Sequence, residues 1–292
     1  MNQTTTSLWR DYLELTKPGV QALLFVSCIS GMLIGSKFSP PLSIFIFGLL
    51  GISFLAASAA VINHIFDSEI DAKMNRTSSR PLVKGSITEF SASIFASVLY
   101  ISGSLMLLVY VNALTWILTS LTFIFYAFIY TRYLKFMTSQ NIVIGGLAGA
   151  MPPLLGWTAV SNTIEPNAWL LVLIVMVWTP PHFWALAVYR VDDYAEAAVP
   201  MLPVQKGVAF TKQHIVLYTL LLLASTMLPY AVGMFQELYL VAALILGLGF
   251  LYFSIKLYRD DTNASAMQTF AYSISYLAAL FGAMLVDQYL YL

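Results

Sequence analysis

Nine apolar runs, each close to twenty residues long, constrain this chain more than any other feature of its sequence. They cover roughly residues 19–36, 42–64, 90–111, 114–131, 141–160, 168–188, 214–233, 238–257 and 270–290. An α-helix rises about 1.5 Å per residue, so a run of this length crosses the ~30 Å of hydrocarbon in a bilayer. The runs lack the alternation of barrel strands, and a helix satisfies its own backbone in lipid. The sequence therefore predicts an all-α membrane protein with nine transmembrane helices.

The composition agrees with this interpretation and excludes several other classes. Charged residues make up 10% of the chain, whereas soluble domains carry about 25%. The net charge is +0, so the chain lacks the broad basic surface that a nucleic-acid partner requires. Cys28 is the single cysteine, which excludes an intramolecular disulfide and a cluster of cysteine metal ligands. Residues 1–19 mix acids with bases and have no apolar centre, so we expect neither a secretory signal nor a transit peptide there.

The Lys and Arg residues are distributed unequally between the two ends of the predicted helices. All but one of the 14 fall on one face of the bundle, and Lys37 alone falls on the other. An excess of Lys and Arg marks the cytoplasmic side, so the N-terminus is predicted to be cytoplasmic and the C-terminus outside. The longest connections, about 65–89 and 189–213, lie on this side, where we expect the functional site. No composition break divides the chain, which predicts one domain over residues 1–292.

One segment, VINHIFDSEIDAKMNRTSSRPLVKG at residues 61–85, gathers an unusual share of the scarce charges. Its Asn63, Asp67 and Asp71 are spaced by four, which places them one turn apart on one face of a helix. Glu69 points away from that face. Two carboxylates and an amide oxygen suit Mg²⁺, which takes one or two carboxylates and completes its shell with waters and substrate phosphates.

Basic residues follow these acids at once. Arg76, Arg80 and Lys84 are separated by small polar residues, and guanidinium groups bind phosphate oxygens in a bidentate way. Acids for a metal ion beside cations for phosphates favour a diphosphate site, although a solvated cytoplasmic loop also collects both signs of charge. A cation-coupled transporter would use Asp67 and Asp71 as ion ligands near the bilayer midplane. Here Asp67 and Asp71 instead follow the apolar run, at its predicted cytoplasmic end, and not at the midplane that a transporter would require.

A second cluster follows the sixth predicted helix, in WTPPHFWALAVYRVDDY. His182, Tyr189 and Asp193 occur at i, i+7 and i+11, which we expect to place them close to one helical face, with Arg190 beside them. His182 lies among aromatic residues, a setting typical of a buried packing histidine. A neutral imidazole in this setting is also a good iron ligand or hydrogen-bond partner.

A third cluster ends the fourth predicted helix. Tyr130, Arg132, Tyr133 and Lys135 lie within six residues of one another there. Taken alone, they are typical of an aromatic belt with positive-inside charges.

Together these segments resemble the UbiA-type intramembrane prenyltransferases, and within that family the branch that farnesylates heme. The matching segments, in chain order, are NHIFDSEIDAKMNRTSSRPLVKG, YTRYLKFMTSQNIVIGGLAGAMPPLLGW, WTPPHFWALAVYRVDDY and VPMLPVQKG. The similarity runs from about residue 17 to residue 207. It implies a helical bundle around a central cavity with cytoplasmic cap loops, in a bacterial plasma (inner) membrane, with Mg²⁺ as cofactor.

The resemblance also implies a role for each candidate residue. The implied catalytic residues are Asp67, Asp71, Arg76, Arg80 and Lys135. The implied metal ligands are Asp67, Asp71 and Asn63. The implied substrate-binding residues are Asn63, Lys84, Tyr130, Asn141, His182, Tyr189, Arg190 and Asp193. The chain departs from the branch at Phe136, where a second basic residue usually follows Lys135.

The implied reaction joins farnesyl diphosphate to the 2-vinyl group of heme b, with addition of water, so that heme b is a substrate and not a cofactor. Mg²⁺ and basic side chains would neutralise the leaving diphosphate, and an aromatic cavity would keep the farnesyl cation from water. The alternative within the family is an aromatic or quinone-precursor acceptor. The implied partners are the two substrates, the lipid bilayer, and a downstream heme-modifying enzyme or terminal oxidase assembly factors.

Overall fold

The computed structural model describes residues 8–74 and 77–292, and the regular structure within these ranges is helical. Nine helical segments there are long and apolar enough to cross a membrane: Pro18–Gly35, Leu42–Asp71, Glu89–Tyr110, Ala113–Met137, Asn141–Ser161, Pro166–Tyr189, Val208–Ala231, Glu237–Arg259 and Ala266–Leu290. Each coincides with one of the nine apolar runs, so the predicted all-α membrane bundle is confirmed.

Numbered in chain order, the spans are built from the following helices: α2 (Pro18–Gly35), α3 (Leu42–Asp71), α5 (Glu89–Tyr110), α6 (Ala113–Ile124), α7 (Lys135–Met137), α8 (Asn141–Ala150), α9 (Pro152–Ser161), α10 (Pro166–Tyr189), α13 (Val208–Ala231), α14 (Glu237–Arg259) and α15 (Ala266–Leu290). A π-helix, Phe125–Leu134, joins α6 to α7. Short helices lie between the spans: α1 (Leu8–Leu15), α4 (Pro81–Lys84), α11 (Val191–Glu196) and α12 (Leu202–Lys206).

Six of the spans form a closed ring. In order around it, α2 contacts α3, α3 contacts the π-helix, the π-helix contacts α8, α8 contacts α10, α10 contacts α15, and α15 returns to α2. The other spans pack outside this ring, α5 against α3, and α13 and α14 against α10 and α15. The ring therefore directs side chains from six helices towards one interior.

The fifth span is broken in its middle. α9 begins at Pro152 and Pro153, which lack the N–H groups that would continue the hydrogen-bond ladder of α8. After the break α9 packs mainly against α2 and also contacts α3 and α10, whereas α8 packs against α10 and the π-helix. Two glycines permit this approach, because a Cβ on Gly31 would lie 2.0 Å from the carbonyl oxygen of Pro153, and one on Gly156 would lie 2.1 Å from that of Cys28. The close contact with α2 fixes the position of the second half of the fifth span.

The helix that carries the acidic segment is longer than its apolar run. α3 continues for seven residues beyond the end of the predicted span at residue 64 and ends at Asp71. The predicted long connection at 65–89 is therefore shortened, since its first part is helical. This extension keeps Asn63, Asp67 and Asp71 in one continuous helix, as their spacing predicted.

A buried carboxylate joins the last two helices near the C-terminal end of the chain. Asp287 on α15 is fully buried and accepts hydrogen bonds from the backbone N–H groups of Gln236 at 2.7 Å and Tyr239 at 3.0 Å. These groups lie at the start of α14, where the first N–H groups of a helix have no intrahelical partner. Asp287 thus caps a neighbouring helix and fixes α14 against α15.

The glycine contact between α2 and α9 gives the first prediction. Gly156→Ala should lower the midpoint of thermal unfolding in detergent, because the new Cβ meets a backbone oxygen and overpacking of this type costs about 1–3 kcal/mol. Gly282→Ala is the matched control, since a Cβ there meets nothing within 4 Å and Ala favours a helix over Gly by about 1 kcal/mol. Equal midpoints for the two variants would contradict the close packing described here.

Candidate active site

The acidic face of α3 is turned into the protein. Asn63, Asp67 and Asp71 expose only 3%, 5% and 2% of their surfaces, and Glu69 is exposed. The structure therefore places the four residues as their spacing predicted. Buried carboxylates are strongly destabilising unless cations and hydrogen-bond donors compensate them. The burial of these two carboxylates therefore requires such partners around the acidic face.

Each buried carboxylate has a cation beside it. Lys135, the first residue of α7, places Nζ 2.8 Å from Oδ1 of Asp67. Arg80, just before α4, donates to Oδ2 of Asp71 through Nη1. Two of the three predicted catalytic cations are thus brought to the acids, although they are 55 residues apart in sequence. The third, Arg76, lies outside the described residues.

Asn63 is held by three side chains and orients Asp67. Its Nδ2 donates to Oδ2 of Asp67 and to Oγ1 of Thr131, both at 3.0 Å. Its Oδ1 accepts from Nζ of Lys17. Because the hydroxyl of Thr131 donates to the carbonyl of Tyr126 at 2.8 Å, that hydroxyl must accept from Asn63, which fixes which end of the amide faces Asp67.

Lys17 reaches Asn63 through a tight turn between α1 and α2. Its backbone is left-handed, with φ 54° and ψ 61°, a conformation that is uncommon for a residue other than glycine. It also directly precedes Pro18, which further restricts its backbone. Strained backbone of this type concentrates at functional sites. Sequence reasoning did not assign Lys17 to the site, and the Lys-Pro pair was the one available signal.

The π-helix supplies the opposite wall. π-helices are rare and often occur at functional sites, and their i→i+5 hydrogen bonds place residues five apart one turn apart. Tyr126 is thereby aligned with Thr131, and Tyr130 with Lys135. The rings of Tyr126 and Tyr130 stack with their centroids 5.6 Å apart. The predicted substrate-binding Tyr130 thus lies one π-turn from the cation that pairs with Asp67.

The start of α8 supports this wall from behind. Asn141 is fully buried and donates through Nδ2 to the carbonyl of Lys135 at 3.0 Å. Gly145 leaves room for the ring of Tyr130, because a Cβ there would lie 2.3 Å from Cδ2 of that ring. The predicted substrate-binding residue Asn141 therefore holds the backbone of Lys135 by a hydrogen bond.

The second cluster is divided by the structure. α10 ends at Tyr189, and Arg190 leaves the helical conformation with φ −112° and ψ 28°. Asp193 belongs to the separate helix α11, so the prediction that it shares one helical face with His182 is wrong. Instead, Asp193 pairs with Arg190 at 3.4 Å, and Arg190 lies over the ring of Tyr189.

These residues differ sharply in their exposure. Tyr189 exposes 49% of its surface, and Lys84 at the end of α4 is also exposed. His182 is buried between α10 and α15, where its ring stacks on Trp178 and Phe270. The structure places His182 in the contact between α10 and α15 and leaves Tyr189 and Lys84 at the surface.

A second histidine was missed by the sequence reasoning. His64 follows Asn63 on α3, exposes 2% of its surface, and has no hydrogen-bond partner for either ring nitrogen among the described residues. It lies seven residues before Asp71, and therefore two turns away on the same face. That i, i+7 spacing was visible in the sequence.

The acidic face fits a magnesium ion by the chemistry of its side chains. Asp67 and Asp71 offer carboxylate oxygens, and Mg²⁺ is commonly bound by one or two carboxylates with waters and substrate phosphates. The oxygen of Asn63, a predicted third ligand, is bonded to Lys17, and its amide nitrogen faces Asp67. Within the described residues there is no group of three or more His, Cys, Asp or Glu side chains that could hold a metal by itself. An ion here would depend on the substrate to complete its coordination.

Comparison with known proteins identifies a family that spans most of the chain. The UbiA prenyltransferase family matches residues 24–281. The protoheme IX farnesyltransferase of Saccharophagus degradans is 53% identical over 282 residues, which cover 97% of this chain and 93% of that protein. Further relatives of the same name, among them that of Alcanivorax borkumensis, share 52–54% identity.

Solved structures share the fold at much lower identity. A structure described as digeranylgeranylglyceryl phosphate synthase superposes with a TM-score of 0.80 at 22% identity, over 97% of this chain and 99% of that one. A UbiA homologue from Archaeoglobus fulgidus, bound to DMAPP and Mg²⁺, superposes with a TM-score of 0.67 at 15% identity, over 94% and 99% of the two chains.

The contact between Asn63 and Thr131 gives the second prediction. Thr131→Val keeps the shape of the side chain but removes the oxygen that accepts from Asn63, and leaving a buried donor unsatisfied costs about 1–3 kcal/mol. We expect a lower midpoint of thermal unfolding in detergent. Thr122→Val is the control, because that hydroxyl donates only to the carbonyl of Leu118 in its own helix. If both variants unfold like the parent protein, the hydrogen bond does not hold Asn63.

Proposed function

This chain belongs to the UbiA prenyltransferase family, and we propose that it transfers the farnesyl group of farnesyl diphosphate to the 2-vinyl group of heme b. Water adds in the same reaction, and the products are heme O and diphosphate. The observation that carries the proposal is the 52–54% identity, over nearly the whole chain, to proteins named protoheme IX farnesyltransferase. The buried pairing of acids with cations is the arrangement that a diphosphate substrate needs.

The diphosphate end of the substrate is assigned to the acidic face of α3. Asp67 and Asp71 are the residues that would hold Mg²⁺, and Asn63 would join them as a third oxygen donor once its Oδ1 leaves Nζ of Lys17. When bound, that ion would neutralise the negative charge that develops on the leaving diphosphate. Support comes from the burial of these oxygens and from the Mg²⁺ in the Archaeoglobus fulgidus homologue.

The cations at this face are assigned to the diphosphate oxygens. Lys135 and Arg80 now pair with Asp67 and Asp71, and a diphosphate that enters the same space offers them a more highly charged acceptor. Arg76 is proposed to join them, since it lies four residues before Arg80. Donors already aimed at the leaving group stabilise charge without reorganisation during the reaction.

The bond changes require a dry interior. The C1–O bond of the farnesyl chain breaks as its electron pair moves to the diphosphate, and the vinyl group supplies the pair for the new C–C bond. The positive charge left beside the porphyrin is then trapped by water, which releases a proton. Tyr130 lies at the diphosphate side of this interior, and an aromatic face stabilises a nearby cation.

The acceptor is assigned to the side of the interior formed by α10. His182 is a buried polar residue of that helix, and we propose that it contacts the heme. Tyr189, Arg190, Asp193 and Lys84 are proposed to act at the cytoplasmic entrance, because they lie at or near the surface. Asn141 is proposed to act through Lys135, whose carbonyl it holds.

The placement in the cell is also part of the proposal. The chain is a multi-pass membrane protein, and we assign it to a bacterial plasma (inner) membrane with its N-terminus in the cytoplasm and its C-terminus outside. The bacterial relatives and the unequal distribution of Lys and Arg support this. The ring that joins α2 to α15 supports a single domain. A heme-modifying enzyme or terminal oxidase assembly factors are proposed to receive the product.

The reaction is tested with purified protein, heme b, farnesyl diphosphate and Mg²⁺, with the products identified by mass. We expect a product heavier than heme b by one farnesyl group and one hydroxyl group, since the trapping water loses a proton. An aromatic acid and a quinone precursor serve as competing acceptors in parallel reactions. Farnesylation of one of these, with heme b unchanged, would overturn the proposed acceptor but leave the family intact.

The acidic face is tested by isosteric amides. Asp67→Asn and Asp71→Asn should each lower turnover by about 10²–10³-fold, equivalent to roughly 3–4 kcal/mol of transition-state stabilisation. Glu69→Gln is the control because Glu69 is exposed on the opposite face of the same helix. A loss for Glu69→Gln as large as that for Asp67→Asn would show that the buried face is not what matters.

The orientation is tested by labelling single cysteines on a Cys28→Ser background. Cysteines at Ser78 and Glu196 should react with a membrane-impermeant reagent only from the cytoplasmic side. Cysteines at Thr163 and Val232 should react only from outside, and all four positions are exposed. Reaction of both pairs from the same side would be incompatible with nine spans.

A further inference from the structure

His182 is held on both faces of its ring and by a hydrogen bond at Nδ1, and the ring of Phe183 lies edge-on to it with centroids 5.0 Å apart. Its two faces are covered by Trp178, with centroids 4.2 Å apart and planes at 18°, and by Phe270, at 4.5 Å and 23°. At one edge, Nδ1 lies 2.6 Å from Oγ of Ser273 on α15. Nε2 has no hydrogen-bond partner among the described residues and is not fully enclosed, since His182 keeps 7% of its surface exposed.

The hydroxyl of Ser273 determines which ring nitrogen carries the proton. Its Oγ lies 2.6 Å from the carbonyl oxygen of Phe270 as well as 2.6 Å from Nδ1 of His182. A hydroxyl has one hydrogen, and two oxygen atoms at 2.6 Å repel each other unless a hydrogen lies between them. The hydroxyl therefore donates to Phe270 and accepts from Nδ1 of His182. The neutral imidazole then carries its hydrogen on Nδ1, and Nε2 keeps a free lone pair.

Ser273 is itself fixed on both sides. Its backbone carbonyl accepts a hydrogen bond from Nε1 of Trp178 at 2.8 Å, and the residue is fully buried. Trp178 and His182 lie one turn apart on α10, so the two side chains hold the same residue of α15 through its carbonyl and its hydroxyl. The orientation of the imidazole is consequently fixed by both helices.

We propose that Nε2 of His182 is an axial ligand of the iron in the porphyrin acceptor, and that Ser273 is the positioning residue that keeps His182 in the ligating tautomer. The inference rests on the proposed function, because it requires an acceptor that contains iron. A histidine that binds a metal usually donates its other ring N–H to a hydrogen-bond acceptor, which orients the ring. Neutral imidazole is a common protein ligand of heme iron.

The depth of His182 agrees with this role. It lies seven residues before the cytoplasmic end of α10, and Asp67 lies four residues before that of α3. At about 1.5 Å per residue these positions are roughly 10 Å and 6 Å below the helix ends. An iron ligand at this level would hold the porphyrin slightly deeper than the diphosphate, where the first carbon of a farnesyl chain would enter the apolar interior.

The experiment measures binding of ferric protoheme to the purified full chain in detergent, without a prenyl diphosphate, by the Soret absorption and by electron paramagnetic resonance. Metal-free protoporphyrin IX is titrated in parallel. The variants are His182→Gly, Ser273→Ala and the control Ser275→Ala, which removes an exposed hydroxyl from the same helix. Free imidazole is then added to His182→Gly.

We expect His182→Gly to lose the histidine signature of the iron and at least tenfold in protoheme affinity, with free imidazole restoring the signature. Ser273→Ala should weaken protoheme binding by roughly 10–100-fold, the usual effect of removing a partner of a metal-bound histidine, and Ser275→Ala should not. Affinity for metal-free protoporphyrin should be unchanged in every variant, which also shows that the porphyrin site is still folded.

Two results would overturn the inference while leaving the proposed function intact. One is an unchanged protoheme spectrum and affinity in His182→Gly. The other is an equal loss of affinity for protoheme and for metal-free protoporphyrin, which would make His182 a stacking or packing residue. A parent protein that binds neither porphyrin would instead contradict the proposed function itself.

Discussion

The structure depends on two carboxylates that are buried inside a membrane protein. Asp67 and Asp71 lie on the interior face of α3, and a buried acid without a partner destabilises a fold by several kcal/mol. Their partners come from different parts of the chain, Lys135 from the end of the fourth span and Arg80 from the segment after α3. The positions of both segments are therefore tied to the charges on α3.

The same pairs explain how a site for a highly charged substrate can exist before the substrate arrives. In this state each acid is compensated by its own cation, and Lys17 is compensated by hydrogen bonding to Asn63. In the proposed reaction a diphosphate would take over the cations, its oxygens replacing the carboxylates as acceptors. A magnesium ion would in turn compensate the carboxylates. The interior can thus exchange one set of partners for another without leaving a buried charge alone.

The sequence predicted those features that depend on local spacing. The nine spans follow from apolar runs, and the stripe from Asn63 to Asp71 follows from a spacing of four in a helix that continues through it. Partners that meet only in the folded chain were not predictable. Thr131 is one of several hydroxyls in an apolar helix, and its contact with Asn63 depends on a π-helix. The shared face assumed for His182 and Asp193 failed because α10 ends at Tyr189.

The helix α8 lies between the two sides of the site, and it carries glycine at the two positions where they contact it. α8 presents Gly145 to the ring of Tyr130, at the diphosphate side, and Gly146 to Thr179, three residues before His182 on α10. A Cβ on Gly145 would lie 2.3 Å from that ring, and one on Gly146 would lie 2.9 Å from Cγ2 of Thr179. Adjacent glycines let both neighbours approach the backbone of α8 more closely than any side chain would permit. The distance between the cations assigned to the leaving group and the histidine assigned to the acceptor is therefore set by α8, which has no side chains at these two contacts. This is a rigid way to hold two reactants at one separation, because packed backbone deforms less readily than a layer of side chains.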